Sequence, residues 1–121
     1  MIKVAAAVCF QDGKVLLASR PENKPPAGWE FPGGKLESGE TPQQAARREL
    51  AEELNWEVLP LDIIFQVKTP KITLFFVRVI PAGTDAPSPC ENQQIKWVEL
   101  SPEFPQGMLE NDREFWKFIT S

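Results

Sequence analysis

From Gly33 to Trp56 the chain reads GGKLESGETPQQAARRELAEELNW, a glycine-rich loop followed by a segment with every local signal of a helix. Thr41 supplies a hydroxyl to cap the first turn, Pro42 takes the favoured first helical position, and Gln44 completes a capping box. From there to Leu54 there is no Gly or Pro, and Ala, Gln, Arg, Glu and Leu all favour helix. At about 100° per residue, Glu49, Glu52 and Glu53 fall at i, i+3 and i+4 and share one sector. Ala46, Leu50 and Leu54 form the neighbouring apolar stripe, which requires burial. The carboxylates therefore stand at the edge of the buried face, and Arg48 lies one turn before Glu52, in place for an ion pair.

Three clustered carboxylates repel one another, and stability alone does not select such a cluster. A divalent cation removes the repulsion. Carboxylate oxygens suit hard ions such as Mg²⁺ or Mn²⁺, and Mg²⁺ takes phosphate oxygens as further ligands. The alternative is an acidic, solvated helix face, the usual meaning of a Glu-Glu pair. The chain has no histidine, which excludes a zinc site built on His and any Ser-His or Cys-His nucleophile. A hydrolase with this composition would draw its base from the carboxylates, acting on metal-bound water.

A length of 121 residues predicts one domain spanning 1–121, with a hydrophobic core. The net charge of −4 argues against a general polyanion-binding surface. No polymeric nucleic acid is expected as a partner, whereas a small phosphorylated substrate remains open because bound metal reverses the local potential. Cys9 and Cys90 have no metal-type spacing. Cys9 reads as a small core residue, and the pair suggests a reducing compartment. The start of the chain lacks a signal peptide's apolar core, and no apolar run reaches about 18 residues. A cytoplasmic protein with no membrane partner is expected.

Ile2 to Phe10 reads as a buried strand, Gln11-Asp12-Gly13-Lys14 as a hairpin turn, and Val15 to Ser19 as the returning strand. Pro21 to Trp29 is a proline-rich loop that borders a pocket. Glu57 to Val67 and Lys71 to Ile80 are strands separated at Thr69-Pro70. ITLFFVRVI predicts a central strand buried on both faces, with Phe75 and Phe76 as core residues and base stacking as their alternative. Pro81 to Pro89 is a loop, Ile95 to Leu100 a strand, and Ser101-Pro102 opens a short helical turn. A last helix from about Glu110 to Ile119 carries an apolar stripe of Phe115, Phe118 and Ile119, with Trp116 at its side.

The loop and helix together resemble the Nudix box, G-x5-E-x7-R-E-U-x-E-E-x-G-U with U aliphatic. Gly34, Glu40, Arg48, Glu49, Leu50, Glu52 and Glu53 match, and these are seven of the nine specified positions. The departures are Asn55 where the family has Gly and Trp56 where it has an aliphatic residue. Asn is the next best residue for a left-handed helix cap, so the first change is mild. The elements read from the chain follow the order β-β-β-α-β-β-β-α; the resemblance covers essentially the whole chain, most specifically Phe31 to Trp56, and implies the Nudix fold, an α/β/α sandwich around a mixed β-sheet.

The string EFPGGK is similar to MutT-type members, and that likeness implies further roles. Phe31 would line the base pocket and the Gly33 carbonyl would bind metal together with Glu49, Glu52 and Glu53. Glu91, six residues before Trp97, would be an additional metal ligand. Arg20 would reach phosphate or base, with a surface arginine as the equal alternative, and Lys35 would reach a phosphate. Asn111 would read the purine edge or cap the last helix. Glu53, closest to the other carboxylates, is the candidate base, with Glu49 next. Arg48 would orient a glutamate, and Glu40 would bind metal or fix the loop.

The implied activity is Mg²⁺- or Mn²⁺-dependent hydrolysis of nucleoside triphosphates to monophosphate and pyrophosphate. Oxidised purines such as 8-oxo-dGTP, or cytidine nucleotides, are the implied substrates, and nucleotide-pool sanitisation in support of DNA repair is the implied role. Two alternatives stand beside it. Pro70, fourteen residues beyond Trp56, is the feature that keeps an ADP-ribose or nucleotide-sugar pyrophosphatase open. A non-catalytic nucleotide or metal sensor on the same fold is the other.

Overall fold

The computed structural model describes residues 1–20, 27–90 and 93–121. Its elements are β1 (Ile2–Val8), β2 (Phe10–Gln11), β3 (Lys14–Ser19), β4 (Trp29–Glu30), β5 (Gly33–Lys35), α1 (Pro42–Leu54), β6 (Val58–Lys68), β7 (Ile72–Pro81), β8 (Ile95–Glu99) and α2 (Glu110–Thr120). The first strand expected from the sequence is divided at Cys9. β1 enters one sheet and β2 another, because the chain bends where the Cys9 carbonyl accepts from Leu16 N–H at 3.3 Å. The single mixed sheet of the sequence reading is thus two sheets among the described residues. One runs β5-β1-β7-β6, with β1 and β7 parallel and the other pairs antiparallel. The other is antiparallel and built on β3, which pairs with β2, β4 and β8.

Both helices find their place through strand alternation. On β1 and β7, Ala5, Ala7, Val77 and Val79 face one way and join Ala45, Ala46, Leu50 and Leu54 of α1. Ala6, Val8, Leu74 and Phe76 face the other way and join Phe115 and Trp116 of α2. β7 is therefore a central strand with both faces covered, as its composition requires. The result is an α/β/α sandwich, and none of the described helices is long and apolar enough to cross a membrane.

α1 begins and ends as its sequence dictates. The Thr41 side chain accepts from Gln44 N–H at 3.1 Å, and the Gln44 side chain accepts from Thr41 N–H at 2.9 Å. Asn55 closes the helix at φ 48°, ψ 40°, the left-handed region that the box usually gives to glycine. In the β2–β3 hairpin Asp12 and Gly13 have φ of 53° and 77°, the pair of positive values that a tight two-residue turn demands.

α2 departs from expectation in its register. Phe118 is 54% exposed, while Trp116 is fully buried. The buried face is Asp112, Phe115, Trp116 and Ile119, an i, i+3, i+4, i+7 set. The Trp116 indole is admitted because its N–H donates to the carbonyls of Ser101 and Glu103 at 2.8 and 3.1 Å. Those two carbonyls belong to an irregular segment, so the helical turn expected at Ser101-Pro102 does not form. Leu109, not Asn111, is the N-cap of α2, which removes the capping role proposed for Asn111.

Replacing Thr41 with Ala removes one half of the capping box and should destabilise the protein by about 1 kcal/mol. Urea denaturation should show this as a lower midpoint with an unchanged slope.

Candidate active site

A cavity of about 490 Å³ opens where β5, the edge of the mixed sheet, meets α1, the β3–β4 ladder and the start of α2. Seven of the residues singled out from sequence line it: Arg20, Phe31, Gly33, Lys35, Glu49, Glu53 and Asn111. They are distant in sequence and come together through particular packing steps. The β5 register places Gly33 beside Ala6 and Gly34 beside Ala5. The first residues of the glycine-rich stretch are therefore a strand, not a loop. A side chain at Gly33 would stand 1.9 Å from the Ala5 carbonyl oxygen, and one at Gly34 would stand 2.5 Å from the Glu49 carboxylate. Glycine at 34 is thus the cradle into which Glu49 fits.

Glu49 and Glu53, one turn apart, both face the cavity, and Glu53 Oε2 is sequestered from solvent. Glu52 does not line it; its side chain is 59% exposed. One guanidinium holds Glu49 and Glu52. Arg48 gives Nε–H and one Nη2–H to Glu40 at 2.7 and 2.9 Å, a second Nη2–H to the Lys35 carbonyl at 3.0 Å, and its Nη1 hydrogens to Glu49 at 2.9 Å and Glu52 at 3.3 Å. All five of its donors are engaged. Hydrogen bonding to Arg48 first, and to Glu37 N–H second, holds Glu40 down at about 2, while Glu40 holds the Arg48 guanidinium above its ordinary range. Of the two roles left open for Glu40, the structure supports fixing the loop. Among the described residues no three acidic or thiol groups close into a ready-made cation cage. The donors nevertheless suit a hard cation, because they are all oxygens, two carboxylates face one cavity, and a glycine admits one of them closely.

On the other side of the cavity Asn111 is joined by Asp112, which is 95% buried and accepts from Phe31 N–H at 2.9 Å. Burial raises the Asp112 carboxyl from 3.8 to about 7, against the Phe31 hydrogen bond; Glu30 adds to the rise and Arg20 opposes it. Arg20 and Glu30 form an ion pair at 3.4 Å in the same wall.

A NUDIX domain description matches residues 1–117. The chain belongs to the Nudix hydrolase family. Among its relatives, the CTP pyrophosphohydrolase of Escherichia coli (strain K12) is 55% identical over 58 residues, covering 47% of this chain and 43% of that protein. The match therefore spans less than half of that relative's length. The 8-oxo-dGTP diphosphatase of Haemophilus influenzae is 38% identical over 104 residues, 82% of this chain and 76% of that protein. The solved MutT structure reported for Aliivibrio salmonicida and Vibrio cholerae superimposes with a TM-score of 0.74 at 28% identity, covering 98% of this chain and 96% of that one.

In this Nudix hydrolase the sequence-derived residues are not all equivalent. Phe31 lines the cavity, but its ring is 98% buried, edge-on to Phe76 and Phe115 with centroids 5.9 and 5.2 Å away. It is first a core residue whose backbone N–H anchors Asp112. Cys9 is also core, its thiol pushed up to about 11 by burial. Glu91 and the loop residues 21–26 lie outside the described residues. Sequence reasoning missed Asp112, although an acidic residue at the head of an apolar helical stripe, i−3 from Phe115, was a readable signal. It also missed Gln93 and Leu109, whose place in the cavity has no local signature.

Asp112→Asn should keep the Phe31 hydrogen bond through Oδ1 and remove the titration. Because the folded pKa is raised, the unfolded chain ionises first. Wild-type stability should therefore fall relative to the variant as pH rises from about 4 to about 7, then level off. Chemical denaturation of both proteins across that range reads the difference directly. Gly34→Ala should displace the flexible Glu49 carboxylate. Turnover should drop by about tenfold or more while the thermal midpoint changes little.

Proposed function

We propose that this Nudix hydrolase cleaves nucleoside triphosphates to nucleoside monophosphate and pyrophosphate in a reaction that depends on a divalent metal. The observation that carries the reading is a single cavity lined by Glu49 and Glu53 of α1 and by the paired amide and carboxyl of Asn111 and Asp112. Its size is that of small-molecule sites. The names of two relatives, a CTP pyrophosphohydrolase and an 8-oxo-dGTP diphosphatase, support the same substrate class.

Glu49, Glu52, Glu53 and the Gly33 carbonyl, with Glu91, would hold Mg²⁺ or Mn²⁺, which supplies positive charge to the polyphosphate and lowers the pKa of a water. The chain's own residues do the rest. Glu53 takes the proton of the attacking water, with Glu49 beside it as the other candidate base. Arg48 orients both Glu49 and Glu52 and is a positioning residue. Lys35, at the mouth of the cavity, neutralises phosphate charge. At the far wall Asn111 offers a donor and an acceptor to the base. The Asp112 carboxyl, its pKa raised by burial, offers an acceptor when ionised and a donor when protonated. Arg20 is available to base or phosphate once substrate competes with Glu30. The free thiols of Cys9 and Cys90 suit a reducing compartment.

The test is release of pyrophosphate and phosphate from normal and 8-oxo triphosphates, CTP and ADP-ribose, with and without Mg²⁺. Pyrophosphate that appears from a triphosphate only with metal is the expected result. Glu53→Gln should lower kcat by about 10²- to 10⁴-fold with the circular dichroism spectrum unchanged. A folded chain that binds these nucleotides with Mg²⁺ and never turns them over would establish the sensor reading instead.

A further inference from the structure

The two positions at which the chain departs from the Nudix box make contacts that the usual residues are unable to make. Asn55 Nδ2 donates to the Ser88 carbonyl at 3.3 Å, and the Trp56 indole N–H donates to the Asp85 carbonyl at 2.9 Å. A glycine at 55 has no side chain, and an aliphatic residue at 56 has no donor. Both bonds reach the same loop, which follows β7.

That loop also closes the end of α1. A helix leaves its last four carbonyls without intrahelical partners. Here the Leu54 carbonyl accepts from Ser88 N–H at 2.7 Å, the Glu53 carbonyl from Cys90 N–H at 2.9 Å, and the Glu52 carbonyl from the Cys90 thiol at 3.1 Å. The peptides that carry Glu52 and Glu53 are thus held by residues about 35 positions away in the chain. Trp56 anchors the clamp in the core, fully buried and edge-on to Trp97 at 6.4 Å.

We infer that Asn55 and Trp56 are positioning residues that lock the loop of residues 85–90 onto the last turn of α1 and thereby fix the Glu52 and Glu53 carboxylates for metal binding. Helix ends fray when nothing holds them. Without the two side-chain bonds, the loop of residues 85–90 would keep the bonds of Ser88 and Cys90 to the helix-end carbonyls but lose its two side-chain anchors. The inference rests on the metal-binding reading of α1.

The test uses Asn55→Gly, Trp56→Phe and the double variant. Glycine accepts the left-handed conformation at 55, and phenylalanine keeps an aromatic ring at 56, so each change isolates a hydrogen bond. Thermal denaturation checks that all three fold. Amide hydrogen exchange by NMR should show Ser88 and Cys90 exchanging faster in each single variant, and about tenfold or more faster in the double variant. Mn²⁺ titration of the metal-free proteins, followed by electron paramagnetic resonance, should show Kd rising about tenfold. The Mn²⁺ concentration for half-maximal activity should rise in parallel, while kcat at saturating Mn²⁺ stays within about threefold.

Faster exchange with unchanged Mn²⁺ affinity would reduce the clamp to a structural feature and overturn the inference. Unchanged exchange would show that the two side chains hold nothing. A wild-type protein that binds no Mn²⁺ would sink the metal reading itself. The exchange data separate that outcome from the other two, because they do not depend on metal.

Discussion

Arg48 is the contact on which the site depends. Its side chain is 22% exposed, and each of its donors meets an oxygen: two on Glu40, one each on Glu49 and Glu52, and the carbonyl of Lys35. These acceptors belong to β5, the following loop and α1, and Arg48 ties the three segments together. A lysine, with a compact charge and no planar fork, is unable to reproduce this geometry. The same guanidinium offsets the mutual repulsion of the carboxylates in the absence of metal. The acidic cluster is thus compatible with a stable apo fold, and a cation entering the site would share Glu49 and Glu52 with Arg48 rather than find them bare.

The site is assembled at a seam. The mixed sheet contributes β5 and β1, its α1 layer brings the carboxylates, and the antiparallel sheet brings Glu30 on β4 and Arg20 directly after β3. The start of α2 reaches the cavity because β4 is tied to the segment before it. Trp29 N–H donates to the Gly107 carbonyl at 2.9 Å, and Leu109 N–H donates to the Trp29 carbonyl at 3.0 Å. A side chain at Gly28 would lie 2.6 Å from that Gly107 oxygen, so glycine there permits the approach. The wall of Glu49 and Glu53 and the wall of Asn111 and Asp112 therefore belong to different layers, joined through short backbone contacts.

The buried pair Asp112 and Phe31 shows how core and site share residues. Phe31 packs among Phe76 and Phe115 while its N–H meets the Asp112 carboxylate, so a core aromatic positions a polar group of the cavity. Burial is what moves the carboxyl into the neutral range, and burial follows from α2 docking by the Asp112, Phe115, Trp116, Ile119 face.

The sequence by itself determined what depends on short-range geometry. The capping box of α1, its left-handed end at Asn55, the Asp12-Gly13 hairpin and the pairing of Arg48 with Glu52 are contacts between residues a few positions apart, where periodicity and φ preferences decide. The arrangement of Glu49 and Glu53 on one helical face belongs to the same class. Tertiary structure alone decided the break at Cys9, the division into two sheets, the register of α2 that buries Trp116 and exposes Phe118, and the gathering of Arg20, Asn111 and Asp112 into one cavity. Each of these turns on which of several apolar faces packs against a distant partner. Phe118 and Trp116 are both large aromatic residues in the sequence, and the carbonyls of Ser101 and Glu103, which accept the indole N–H, favour burying Trp116.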